Sequence, residues 1–351
     1  MNNFKKIGMT ALAASLVSTS VFAGEMAVTG SAKMVMDGFS GTDLHTGTGF
    51  SMGNQLTFSG SGELDNGMTV SLSFVLDQND DKAADDQTTK GNYNSGAPFD
   101  SHSVSISSDT IGTLVLAGEG GSSAASALDT TAAGDMWDNF DGKGGVKVKD
   151  SSPGDNSLMY TLPSLVDGLS VSASFNPQLA SGKSDNKIKV ANSAAQTGNS
   201  TELGYSATYT GVEGLSLSYG VTDLERLGTN ADGTSAVAKG DQTAWKASYA
   251  YGPVTVSAAN SDYDITGTSG DQETSSYNIS YTVSDAISIS YGQEEISKTG
   301  AVDAEFEGVS ASYTAGGMTV SAGMQEATNM ANATGAAGTM DYWSLSLAFA
   351  F

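Results

Sequence analysis

The connectors of this chain alternate between short and long, and that rhythm restricts its fold more than any other feature. Short turn-forming segments fall at 65–67, 108–112, 164–168, 211–214, 251–253, 284–286 and 315–317. Long polar segments fall at 38–49, 78–101, 119–156, 176–200, 224–241, 263–273, 295–303 and 327–340. Several short ones, such as Asp65-Asn66-Gly67 and Ala315-Gly316-Gly317, carry the residues that tight hairpins use for positive φ. Seven short and eight long connectors join sixteen segments.

The segments themselves alternate apolar and small polar residues, as in Val70-Leu72-Phe74-Leu76 and Leu215-Leu217-Tyr219-Val221. In the last one, Trp343, Leu345, Leu347, Phe349 and Phe351 share one face of a strand, while Ser344, Ser346, Ala348 and Ala350 share the other. Alone, this pattern suits a soluble sandwich as well as a lipid-facing sheet. An even strand number with short turns at one rim and long loops at the other is the layout of an outer-membrane barrel. The expected fold is all-β: a 16-stranded antiparallel transmembrane β-barrel with short periplasmic turns, long extracellular loops and an inward-folded third loop. Closure satisfies every ladder hydrogen bond and leaves no edge, so the complete lack of cysteine needs no other remedy.

Residues 1–23 read as a cleaved secretory signal peptide, with Lys5 and Lys6 ahead of an apolar stretch and Val21-Phe22-Ala23 at the cleavage site. The barrel is then 24–351. Removing two of 15 basic residues leaves 13 against 39 acidic ones, a formal charge of 13 − 39 = −26. That field repels nucleic acid, which is excluded as a partner, and attracts cations. Arg226 is the only arginine, so guanidinium clamps on phosphate or carboxylate are nearly unavailable.

Lipid takes the apolar parity, so the polar parity lines the lumen. On the first strand Met34 and Met36 face out while Lys33 and Asp37 face in; Glu63 and Lys246 are the other charged wall candidates. The rest of the wall is rich in hydroxyls, which replace part of a passing solute's hydration without holding it. Tyr160, Tyr205, Tyr209, Tyr219, Tyr249, Tyr251, Tyr281, Tyr291, Tyr313 and Tyr342, with Trp245 and Trp343, lie near strand ends and read as interfacial girdles.

The longest connector, 119–156, is too long for an idle hairpin loop and is expected to narrow the channel. It carries Glu119, Asp129, Asp135, Asp138 and Asp141, then Lys143, Lys147 and Lys149; acids facing bases across a constriction would set up a transverse field. Two places fit the pattern poorly. Phe306 has the wrong parity for Val309, Ala311 and Tyr313, which calls for a bulge near Glu307-Gly308. Val146-Lys147-Val148-Lys149 could begin a strand or belong to the loop.

No cofactor is expected. Acidic stretches at Asp80-Asp81, Asp85-Asp86 and 138–142 could take calcium opportunistically, yet they lack EF-hand spacing. His45 and His102 stand apart from any triad or metal pattern, and no constellation marks an enzyme.

With the strand Val28 to Asp37, its inward Lys33, the stretch Ile111-Gly112-Thr113-Leu114-Val115-Leu116-Ala117-Gly118 before a long third loop, and a terminal Phe351, the chain resembles the trimeric general porins of Gram-negative outer membranes. It is most similar to the alphaproteobacterial family. The resemblance implies a homotrimer among outer-membrane lipid and lipopolysaccharide, and passive diffusion of small polar solutes and ions. It also implies a second loop, 78–101, latching onto a neighbour, and a terminal strand, Trp343 to Phe351, read by the barrel-assembly machinery. The near absence of arginine departs from the arginine ladder common in that family. A substrate-specific porin, or a plugged barrel serving as adhesin or structural anchor, are the alternative readings.

Overall fold

A computed structural model of the chain describes residues 26–41, 47–77, 101–141, 143–148, 157–176, 201–229, 235–265, 271–334 and 338–351. Sixteen strands close into one antiparallel barrel in which each pairs with its neighbours in sequence. They are β1 Met26–Ser40, β2 Gly47–Glu63, β3 Thr69–Asp77, β4 Ser101–Ser108, β5 Gly112–Glu119, β6 Ser157–Thr161, β7 Leu169–Asn176 and β8 Thr201–Tyr209. The second half comprises β9 Leu215–Thr229, β10 Ser235–Tyr251, β11 Val254–Ile265, β12 Gln272–Ser284, β13 Ile287–Lys298, β14 Ala304–Ala315, β15 Met318–Thr328 and β16 Met340–Ala350. Between β5 and β6 the third loop carries two single-turn helices, α1 Ser126–Asp129 and α2 Asp138–Asp141.

The barrel closes where β1 meets β16, with Met34 opposite Leu347 and Met36 opposite Leu345. Gly30 and Phe351 exchange backbone hydrogen bonds of 2.7 and 3.0 Å at the seam. The outward row of the final strand is therefore continuous with that of the first. Large apolar side chains such as Leu345, Tyr219, Tyr249 and Met324 are exposed on the outer face, as lipid solvation requires.

Several strands outrun the bilayer. About 9–11 residues span it when tilted, whereas β9 has 15 and β10 has 17. The expected long loop at 224–241 is instead mostly hairpin, with ladder pairs continuing to Thr229 and Ser235. The 38–49 and 263–273 connectors shrink in the same way. Beyond the lipid neither face of a strand has to be apolar, so the alternation fades while the ladder continues.

The bulge expected near Glu307-Gly308 is absent: β14 pairs without a break from Ala304 to Tyr313 on β13 and from Glu305 to Ala315 on β15. Phe306 simply points into the lumen, where it is buried. Register shifts occur instead at His102/Ser103 and Thr282/Ser284. Tyr342 likewise leaves the proposed girdle, since it is buried on the lumenal side and its hydroxyl donates to Asp37 Oδ2 at 3.3 Å. In both cases an apolar or aromatic residue at an inward position marks contact with the third loop.

Candidate functional site

The third loop lies inside the barrel, seated on its wall. Lumenal parity brings polar side chains from many strands to one level, and these hold the loop's backbone in sequence. Ser174 on β7 accepts the Ala124 N–H at 2.8 Å. Gln242 on β10 donates to Asp129 Oδ1 at 2.9 Å, and Lys246 Nζ donates to the Thr130 carbonyl at 3.1 Å. Ser276 on β12 accepts the Ala132 N–H at 2.8 Å, and Gln272 donates to the Lys147 carbonyl at 2.9 Å. On β15, Gln325 accepts from Asn139 Nδ2 at 2.9 Å.

Glu294 on β13 forms the tightest of these grips. Its Oε1 accepts the Thr131 hydroxyl and, at 2.9 Å, the Met136 N–H; its Oε2 accepts the Trp137 N–H at 3.0 Å. The loop is preshaped for this contact by a turn in which Thr131 Oγ1 accepts the N–H groups of Gly134 and Asp135 at 3.1 and 2.8 Å. Asp135 Oδ1 returns a bond by accepting the Thr131 N–H at 2.8 Å. Gly134 and Asp135 sit at φ of 89° and 58°, a left-handed pair that glycine and aspartate tolerate best. A carboxylate buried away from water is stable only with such a set of donors.

Apolar packing supplies the second hold. Phe140 of α2 is fully buried, with its ring 5.6 Å from Phe306 and 6.2 Å from both Tyr342 and Phe39. Met136, Val146, Val148, Ile296, Met330 and Met340 complete this core. Val146 and Val148 thus belong to the loop and form no strand; the Val146 N–H donates to the Met330 carbonyl at 2.5 Å. The inward aromatics lie beneath the loop and form its seat.

Close approach is made feasible by wall glycines. A Cβ on Gly220 would stand 2.6 Å from Leu128 Cδ1, one on Gly292 would stand 2.7 Å from Ala133 Cβ, and one on Gly204 would stand 2.7 Å from Ser123 Oγ. These glycines, together with Glu294, Phe140 and Phe306, are the functional positions that reading the strands one by one misses. Their signal was present in the lumenal parity row Ser288, Ser290, Gly292, Glu294, whose one carboxylate breaks a run of small residues.

The charged candidates separate into different settings. Asp129 and Asp135 are engaged in loop-holding bonds. Asp138 is exposed by surface area, yet partial desolvation within the loop, followed by the nearby charges of Asp141 and Asp135, raises its carboxyl above the ordinary value of 3.8, with Lys147 opposing. Asp141 pairs with Lys147 along the same loop at 2.5 Å, and Lys143 Nζ lies 5.2 Å from the Phe39 ring centroid. Glu119 ends β5, half-buried. On the wall Lys33 is exposed, Asp37 receives the Tyr342 hydroxyl, Glu63 lies exposed at the short-turn end of β2, and Lys246 is tied to the loop. Lys149 and residues 78–100 of the expected latch, with its aspartates, lie outside the described residues. Among the described residues no group of three or more His, Cys, Asp or Glu is placed to hold a metal ion. Away from the loop, hydroxyl pairs Thr161–Ser172, Thr208–Ser218, Ser288–Ser312 and Ser290–Ser310 span neighbouring strands at 2.9, 2.9, 2.8 and 2.7 Å.

A closed sixteen-stranded barrel with its third loop folded against the inner wall defines an outer-membrane channel. Residues 8–314 match the Gram-negative porin family, and the chain belongs to it. It is a multi-pass β-barrel of the outer membrane. Among solved structures, a porin refined at 1.8 Å covers 93% of this chain with 100% of its own, at 18% identity and a TM-score of 0.61. The anion-selective porin from Comamonas acidovorans gives the same coverages at 14% identity and 0.62. A mutant of the Rh. blastica porin gives them at 17% identity and 0.58. At these identities the likeness concerns the fold. No curated protein sequence matches the chain.

Proposed function

We propose that this porin passes small hydrophilic solutes and ions by passive diffusion, with a weak preference for cations. The observation that carries this reading is the third loop, held against the inner wall by side chains of β7, β10, β12, β13 and β15. A loop fixed in this way narrows a lumen of this strand number without filling it. The hydroxyl pairs line a path that is polar and weakly binding, as conduction needs. The formal charge of −24 on the full chain and the exposed Asp138 beside Asp135 and Asp141 favour cations. Lys33, exposed on β1 at an inward position, supplies one cationic wall position for a transverse field.

The natural assembly in this reading is a homotrimer, inserted by recognition of the terminal row from Trp343 to Phe351 after a signal peptide ending at Ala23 is removed. It needs no resident cofactor. Planar-bilayer recordings in a salt gradient test the function: a reversal potential of cation sign is expected, and anion preference overturns the charge argument. A purified protein that conducts no ions overturns the channel itself and favours a plugged anchor. N-terminal sequencing of the mature protein, expected to begin at Gly24, tests the processing site.

A further inference from the structure

On the outer face of β12–β16 the ladder registers stack side chains into horizontal rows. One row runs Tyr281, Ile289, Ala311, Ala322, Leu345, and the next, one step nearer the long loops, runs Ile279, Tyr291, Val309, Met324, Trp343. The paired alanines sit between larger neighbours, and the surface dips there into an apolar groove of about 890 Å³. The following row changes character abruptly to Tyr277, Gln293, Glu307, Glu326, Asp341, and above it stand Glu295 and Glu305. A second cavity, about 320 Å³ and lined by Gln293 and these glutamates, opens directly above the groove.

The two cavities share one seam. Tyr291, in the groove wall, donates its hydroxyl to Glu307 Oε2 at 2.8 Å, and Gln293 Nε2 donates to the same oxygen at 3.0 Å. The Glu307 carboxylate is thereby oriented at the boundary between the apolar rows and the acidic ones. Neither acidic row contains a lysine or arginine. Exposed carboxylates at this level repel phosphate and attract a cation that can donate hydrogen bonds.

We propose that this face binds an amphiphile with a cationic ammonium head, its chain lying in the Ala311–Ala322 groove and its head on Glu307, Glu305 and Glu326. The groove holds the chain by close packing in place of a bilayer chain, and the carboxylates supply the choice of head. Long loops lie at this rim, so the ligand approaches from the outer leaflet or the exterior.

The test uses the folded protein purified in a neutral maltoside detergent, with dodecylammonium, dodecyl sulfate and dodecanol as probes, followed by native mass spectrometry and calorimetry. Dodecylammonium is expected to bind saturably, one per barrel, about tenfold or more tighter than dodecanol, with dodecyl sulfate weaker still. The double variant E305Q/E307Q should bring dodecylammonium down to the dodecanol level, whereas Ala311→Phe, which fills the groove, should weaken both. Circular dichroism and heat-modified gel migration confirm that each variant is a folded barrel, and Thr208→Ala serves as a lumenal control that leaves binding unchanged. Equal binding of the three probes, binding unaffected by E305Q/E307Q, binding of the anionic probe only with added calcium, or a face blocked by a second copy of the chain would each overturn the proposal.

Discussion

Glu294 and Met136 meet across the lumen wall, with the Met136 N–H donating to Oε1 of the buried carboxylate at 2.9 Å. Together with Thr131 and Trp137 this contact sets the position of the third loop. Replacing Glu294 with alanine leaves those donors without an acceptor, at roughly 1–3 kcal/mol each. Single-channel recordings of E294A are expected to show higher conductance and more open-channel noise, and liposome swelling should admit larger sugars. E294Q, which keeps an acceptor oxygen, should lie between. A wild-type trace from E294A would assign the loop's position to its other contacts.

Gly220 and Gly292 make the converse prediction. Side chains there run into Leu128 and Ala133, so Gly220→Leu and Gly292→Val should push the loop toward the open side of the lumen and lower conductance. Gly53→Ala, where an added Cβ meets nothing within 4 Å, should leave conductance unchanged. The strand ladder is untouched in all three, and barrel melting should stay near wild type.

Phe140→Ala removes the ring at the centre of the loop's apolar seat, with an expected loss of about 3–5 kcal/mol in docking. Because that energy belongs to the loop and not to the barrel, limited proteolysis is the suitable measurement. Cleavage within 126–148 should accelerate strongly while heat-modified migration of the uncut barrel persists.

Asp138 predicts a pH dependence. Burial and the carboxylates of Asp141 and Asp135 raise its pKa above 3.8, so the folded protein holds this proton more tightly than the unfolded chain does. Its contribution to stability is fully present below 3.8 and is lost as pH rises through the raised value. In conduction the same titration removes a negative charge on acidification. Cation preference, read from reversal potentials, should begin to fall at a pH above 3.8, and D138N should flatten that step.

Phe351 lies over Gly30 at the closing seam, where a Gly30 Cβ would stand 2.4 Å from the Phe351 ring. Phe351→Asp places a charge on the lipid face beside that contact. Its outer-membrane yield in cells should fall several-fold, measured against periplasmic precursor by immunoblot; equal yield would remove Phe351 from the assembly signal.

Strand count, parity and the β1–β16 neighbourhood were legible along the chain because each depends on residues one or two apart and on the solvent they face. Val70 to Leu76 and Trp343 to Phe351 show their lipid face without help from any partner. The limits of β9 and β10 were not legible, since above the bilayer a paired strand and a polar loop have the same composition. The loop's seat was hidden for a different reason. Glu294 and Thr131 are 163 residues apart, and Phe306 and Tyr342 violate the lumenal pattern only because Phe140 covers them. The sequence by itself determined a lipid-facing barrel of sixteen strands, through local alternation and turn chemistry. Where the third loop lies, and therefore how wide a path remains, was decided by tertiary structure: closure brings distant inward positions to one level, where burial and hydrogen bonding choose among them.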